Sequence, residues 1–312
     1  MPASRLPPAL GLAAIRWAER RFRRARLVFG HGTDNARDEA AALVFHAAGW
    51  PHSAAPAAYS RSLTAAARAQ LATLVSRRIE ERVPAAYLTG VTWFAGHEIH
   101  VDRRVLVPRS PFAELITARF VPFVRPDAVK RILDIGTGSG CIAIAAAHAF
   151  PHARVDGSDV SAAALEVARG NVRRHRLGRR VRLVKSHVFR GLGARRYDMI
   201  LSNPPYVPRR VVERLPAEYR HEPRLGLEAG EDGLAIVRAI LNGAARHLTP
   251  HGVLVVEVGD TAAAVEAAWP GLPFLWLGFE HGGGGVFLLR AGDLKGLRNA
   301  RTARTGRRHV GQ

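Results

Sequence analysis

Apolar residues recur at three- and four-residue spacing over 10–27, 38–48 and 62–79, the period of helices that bury one face. Asp34 or Asn35 stands where a side-chain oxygen can accept from a free amide at the start of the second helix. Near residue 91 the period changes. Residues 91–94 and 97–101 flank Ala95 and Gly96, which predicts a β-hairpin, and 105–107 runs extended into Pro108. From Val129 onward short apolar strands alternate with helical segments. Strands are expected at 131–135, 154–157, 181–184, 199–202 and 253–256, with helices at 141–150, 162–175 and 232–248. Residues 274–277 and 286–289 read as a closing pair. Such alternation predicts an α/β fold with a parallel sheet covered by helices on both faces.

The pattern divides the chain into a helical part over 1–90, a hairpin linker over 91–110, an α/β domain over 111–292 and a basic tail over 293–312. The tail has no apolar periodicity and is expected to be disordered. No apolar run reaches membrane-spanning length, and charges stand where a secretory signal would be apolar, so no membrane partner is expected. One cysteine, Cys141, excludes an internal disulfide framework and suits a reducing cytoplasm.

Charge changes the picture more. Lys and Arg number 46 against 26 Asp and Glu, a formal net charge of +20. Arg16, Arg20, Arg21, Arg23, Arg24 and Arg26 crowd the first helical segment, and 295–308 is basic without an acid. Two readings stay open: contact with RNA through this basic surface, or an Ala- and Arg-rich composition that places arginine on ordinary solvated faces.

Two segments carry chemistry. Asp134, Gly136, Thr137, Gly138, Ser139 and Gly140 follow a buried strand and open a helix, where glycines let backbone approach a ligand closely. A glycine-rich turn alone is a weak signal. Asp159 at the end of the next strand sharpens it, because an acid there can accept both hydroxyls of a ribose; Asp156, earlier in the strand, is second choice. A dinucleotide would also satisfy these features. Asn203, Pro204, Pro205 and Tyr206 end another strand, at the sheet edge where such folds bind ligands. The plain reading is a proline-rich strand terminator. The chemical reading is that the Asn203 side-chain oxygen and the Pro204 carbonyl accept from both N–H groups of a planar amide or amine, with Tyr206 as an aromatic wall.

The glycine loop resembles the S-adenosylmethionine-binding loop of class I methyltransferases. With Asp159 and Asn203 to Tyr206 in order, the catalytic half resembles the protein glutamine methyltransferases of the HemK type. That resemblance implies S-adenosyl-L-methionine as cofactor, a Rossmann-like sheet and catalysis at Asn203, Pro204, Pro205 and Tyr206. The same tetrad serves adenine and guanine amino-methyltransferases, so it leaves the acceptor open. Residues 29–35, 84–90, 107–111 and 218–223, with the closing 283–289, are similar to the PrmB type, which acts on the third protein of the large ribosomal subunit. Release-factor enzymes of the superfamily carry an acid where this chain has Ser110 and Pro111. The resemblance implies a large-subunit ribosomal protein or its assembly particle as partner, and a release factor or nucleic-acid base as alternative acceptor.

This chain departs from the pattern at 186–189. His187 and Val188 are implied to border the adenine, with no aspartate before the aromatic Phe189. A neutral histidine nitrogen can accept the same bond. Elsewhere the expectations are structural. His46, His52 and His148 show no metal-ligand spacing, Cys141 is a small packing residue, and Glu257 to Gly259 shape the sheet edge.

Overall fold

The computed structural model describes residues 6–51, 54, 57–280 and 282–295. Its helical part contains α1 (Gly11–Arg24), α2 (Ala36–Ala48) and α3 (Ala65–Glu80), followed by a short α4 (Ala85–Thr89). Of the two candidate caps for α2, Asn35 does the work: its side chain accepts from the amides of Arg37 and Asp38, each at 3.0 Å. Thr64 caps α3 in the same way through the Ala67 amide. Phe22, Leu43 and Leu71 meet in a core of their own between these helices.

A charged group sits at the edge of that core. Arg78, fully buried, donates to Glu39 at 2.5 Å, to Glu218 at 3.5 Å and to the Val28 carbonyl at 2.8 Å. Glu218 also accepts from the Val28 amide and from Arg82. It lies about 140 residues away in sequence, so this pairing ties the helices to the α/β domain.

The strands β1 (Val91–Phe94) and β2 (His97–His100) pair antiparallel, Val91 opposite His100. Ala95 and Gly96 take positive φ in the turn, as a tight hairpin demands. Phe94 and Ile99 belong to the same core cluster as Ile132 and Met199 of the sheet below. The hairpin therefore packs with the α/β part, and Ala86 of α4 joins the same cluster.

The α/β part runs α5 (Phe112–Thr117), β3 (Arg131–Ile135), α6 (Cys141–Ala149), β4 (Arg154–Asp159), α7 (Ala162–Arg174), β5 (Val181–Lys185), β6 (Tyr197–Ser202), α8 (Arg209–Val212), α9 (Ala235–His247), β7 (Leu248–Glu257), α10 (Ala262–Ala268), β8 (Leu275–Trp276) and β9 (Val286–Arg290). Sheet order is β5-β4-β3-β6-β7-β9-β8. Successive side chains alternate between faces: Ile132 and Met199 enter one core, Leu133 and Ile200 the other.

The first five strands are parallel, but β9 is antiparallel to both β7 and β8. The parallel sheet expected from the alternation is thus formed by five strands, and the closing pair expected at 274–277 and 286–289 completes it as an antiparallel edge. The 277–285 connection is too short for the crossover that a parallel pair needs, so the chain turns back. At the far end Asp293 accepts from the Arg290 amide at 2.7 Å and Leu294 is fully buried, so the chain is ordered past the expected start of the tail at 293. Residues 296–312 lie outside the described residues, as does His52.

Removing one partner of a buried ion pair strands the other. Arg78→Ala is expected to destabilise the protein by about 3–5 kcal/mol. Urea unfolding of the two proteins measures this, and a loss under 1 kcal/mol would contradict the anchoring role.

Candidate active site

The parallel strands change direction of progression between β3 and β6, and a cavity opens at their carboxyl ends. Gly136, Thr137, Gly138 and Ser139 line it from the loop after β3. Asp159 closes β4, His187 and Val188 follow β5, and Asn203, Pro204 and Pro205 follow β6. The far wall is 104–110, the extended segment leaving the hairpin.

Three sequence-predicted residues stand outside this lining. Asp134 is fully buried beneath the loop, where the Thr137 hydroxyl donates to it. Burial pushes its carboxyl up to about 7. Gly140 immediately precedes α6 with φ +83°, and a Cβ there would press on Ala168. Tyr206 points away toward Glu257, 3.4 Å from its hydroxyl.

The loop suits a nucleoside ligand. Gly136 and Gly138 hold φ of +74° and +54°, a backbone that side chains disfavour. The Gly136 and Thr137 amides both donate to the Ser158 carbonyl, which folds the loop over the sheet edge. The Asp159 carboxylate accepts from the amides of Gly138 and Ser161 at 2.9 Å each, which orients it and leaves lone pairs for a diol. Burial pushes the Asp159 carboxyl up, and the Ser161, Gly138 and Val160 amides oppose that shift. Asp156 is spent elsewhere: Arg182 grips it at 2.8 and 2.7 Å, and the Tyr197 hydroxyl donates to it. Val188, buried at the cavity edge, has φ +53°, a rare conformation for a β-branched residue. The Ser186 hydroxyl donates to its carbonyl and fastens that turn, while His187 is exposed.

Cys141 also lines the cavity, but burial and the nearby Asp134 push its thiol up to about 12. A thiol held protonated in this way suits packing better than nucleophilic attack.

Several side chains that organise the site escaped the sequence reading. Glu257, expected only to shape the sheet edge, accepts from the Ser110 hydroxyl at 2.5 Å and from Tyr206. It therefore joins the wall segment to the tetrad. Glu222 accepts a bidentate pair from Arg109, both at 2.6 Å, and the Val107 amide at 3.1 Å. His31 lies 3.7 Å from Glu222, but burial lowers its pKa to about 4 and leaves it neutral at pH 7. Only the grouping 218–223 marked these carboxylates in the sequence; nothing local assigned partners a hundred residues away.

A glycine loop and the Asn203 to Pro205 turn on one cavity, at the switch point of a Rossmann-like sheet, fit the class I S-adenosylmethionine-dependent methyltransferases. Residues 116–216 match the methyltransferase small domain, and residues 13–90 match the PrmC N-terminal domain. The chain is 47% identical over 280 residues to the ribosomal protein uL3 glutamine methyltransferase of Xanthomonas campestris, covering 90% of this chain and 91% of that one. The enzymes of the same name from Bordetella pertussis and Neisseria meningitidis are 47% and 46% identical, covering 88% and 90% of this chain and 93% of each. The chain belongs to the family of ribosomal protein uL3 glutamine methyltransferases.

Burial pushes the Glu257 carboxyl from 4.5 up to about 7, so the folded protein holds a proton that the unfolded chain releases. Its contribution to stability is full below pH 4.5 and is lost as pH rises through 7. Relative to Glu257→Gln, the wild type is expected to lose up to roughly 3 kcal/mol across that window. Parallel stability curves for the two proteins in urea at pH 5 and pH 8 would refute this.

Proposed function

We propose that this enzyme methylates the side-chain amide nitrogen of a glutamine in ribosomal protein uL3. The observation that carries the reading is the Asn203 to Pro205 turn facing the glycine loop across one cavity, on a chain whose relatives bear that activity in their names. The cofactor supplies a sulfonium methyl as electrophile. An amide nitrogen is a poor nucleophile, because its lone pair is delocalised into the carbonyl. The Asn203 side-chain oxygen and the Pro204 carbonyl accept its two N–H groups and hold it in line with the methyl. Transfer forms a carbon–nitrogen bond, breaks the sulfur–methyl bond and releases one proton from nitrogen. Tyr206, held by Glu257 and packed on Gly259, keeps the turn in place.

On the cofactor side Gly136 to Ser139 would cradle the ligand, with Asp134 bracing the loop from beneath; Asp159 would accept the ribose hydroxyls, and His187 with Val188 would border the adenine. The helical part, residues 1–90, grips the acceptor protein. Ser110 and Pro111, standing where release-factor enzymes carry an acid, favour uL3 over a release factor as acceptor. No described helix is long and apolar enough to cross a membrane, and the activity belongs with ribosomes in the cytoplasm.

RNA contact belongs to the same reading. Arg131, Arg154, Arg169, Arg173, Arg179 and Arg195 surround a second cavity at the amino edge of the sheet. None of the six pairs with a carboxylate among the described residues, and Asp156 there is already held by Arg182. With the arginines of α1, this surface suits the phosphates of an assembling ribosomal particle.

Two tests follow from the site and the surface. Asn203→Ala is expected to keep cofactor affinity and to lose on the order of a hundredfold or more in turnover. Asp159→Ala is expected instead to weaken the cofactor, with Asp156→Ala close to wild type. Calorimetry with the cofactor, and mass spectrometry of uL3 and release factor after methylation, separate these outcomes; near-normal turnover by the Asn203 variant would sink its role. For the surface, replacing Arg154, Arg169 and Arg179 by alanine is expected to reduce the salt slope of binding to ribosomal particles by roughly one per arginine. Methylation of isolated uL3 is expected to stay unchanged. Equal slopes would leave these arginines as ordinary solvated charge.

A further inference from the structure

Sequence spacing gave His148 no metal partner, yet the fold brings two to it. His97 on β2, His148 in the last turn of α6 and His175 just past α7 each offer a nitrogen, all within 4.8 Å of one another. His97 and His148 stack with ring centroids 4.4 Å apart, and His175 stands edge-on to both, at 5.8 and 5.5 Å. We propose that these three histidines form a structural site for a divalent transition metal, zinc above all, which staples the hairpin to the ends of two helices.

The surroundings support it on independent grounds. The His175 Nε2 lies 2.8 Å from the Glu98 carbonyl, which can only accept, so Nε2 carries the hydrogen and Nδ1 keeps a free lone pair. A second-nitrogen bond of this kind orients histidine ligands. The carboxyl-terminal ends of α6 and α7 both reach the cluster, and their dipoles favour a cation. Arg180 is an opposing charge near His148, but its guanidinium is turned onto the Ala147 and Phe150 carbonyls. Zinc–nitrogen bonds of about 2.0–2.1 Å in a tetrahedral site require the nitrogens to close by roughly 1 Å, within reach of ring rotation. Three imidazoles leave the fourth position to water. An all-nitrogen set suits zinc, nickel, copper or cobalt and not calcium or magnesium.

Such a staple would act on the cofactor loop. The Asn171 side chain accepts from the His100 amide and donates to the carbonyls of His100 and Ser139, so the hairpin is already wired to the glycine loop. The metal would lock that wiring one residue beyond α7 and at the far end of α6, whose first turn the loop opens.

The test uses full-length protein without a histidine tag, stripped with a chelator and titrated with zinc ion by calorimetry. One zinc per chain is expected, with a rise in melting temperature. His148→Ala, at an exposed position that the fold tolerates, is expected to weaken binding at least about a hundredfold, the upper end of what losing even an outer partner costs. His175→Ala should do the same, while His251→Ala, exposed and outside the cluster, should bind as wild type. Cobalt ion in place of zinc should give the intense visible bands of a four-coordinate site. Equal zinc affinity in wild type and the cluster variants, or no saturable binding by wild type at micromolar zinc, overturns the proposal.

Discussion

Two carboxylates four residues apart, Glu218 and Glu222, hold this molecule together across its parts. Each is nearly water-free and each receives a guanidinium from a distant element: Arg78 from the helical part, Arg109 from the segment that walls the cavity. Charges taken out of water are costly unless their hydrogen bonds are met. Here backbone completes them, since Glu218 also takes the Val28 amide and Glu222 the Val107 amide. Apolar contact would tolerate small slips between the helices and the sheet. These pairs fix one mutual position, because a shift of an ångström or two leaves a buried charge unmet.

That fixed position sets the cavity. Its floor comes from the ends of parallel strands, whose register is determined by the sheet, and its wall from 104–110, whose register is determined by Glu222 and Glu257. Glu257 touches both halves, through Ser110 on the wall and Tyr206 on the tetrad turn. The room between floor and wall is thus set by bonds that involve neither cofactor nor acceptor. Gly259 adds a steric condition: a Cβ there would come within 2.8 Å of the Tyr206 ring.

Much of this was legible along the chain. The apolar run 131–135 coincides with β3 to the residue, and the apolar periods mark α1, α3, α7 and the hairpin within a few positions. The glycine loop, Asp159 and Asn203 announce themselves because their chemistry is local: a turn, a strand end, a fixed φ. Whatever depends on distant partners was not legible. The antiparallel return of β9 follows from a connection too short to cross over, the role of Glu257 from a serine 147 residues away. His148 looked alone for the same reason, since its neighbours arrive from β2 and α7. Tyr206 shows the limit of motif reading, for the ring expected at the amide faces Glu257 instead of the cavity lining.

The two outer strands of the sheet have a consequence for how the protein behaves in a crowded cell. An open sheet exposes unpaired amides and carbonyls at its margins, an invitation to another chain in extended form. On one margin β8 is only two residues long, too short to template much pairing. On the other, β5 leaves Lys185 exposed, and a second copy laid against it would meet its own positive charge. A chain with so many apolar strands can therefore accumulate without joining edge to edge, kept apart by brevity on one side and by like charge on the other.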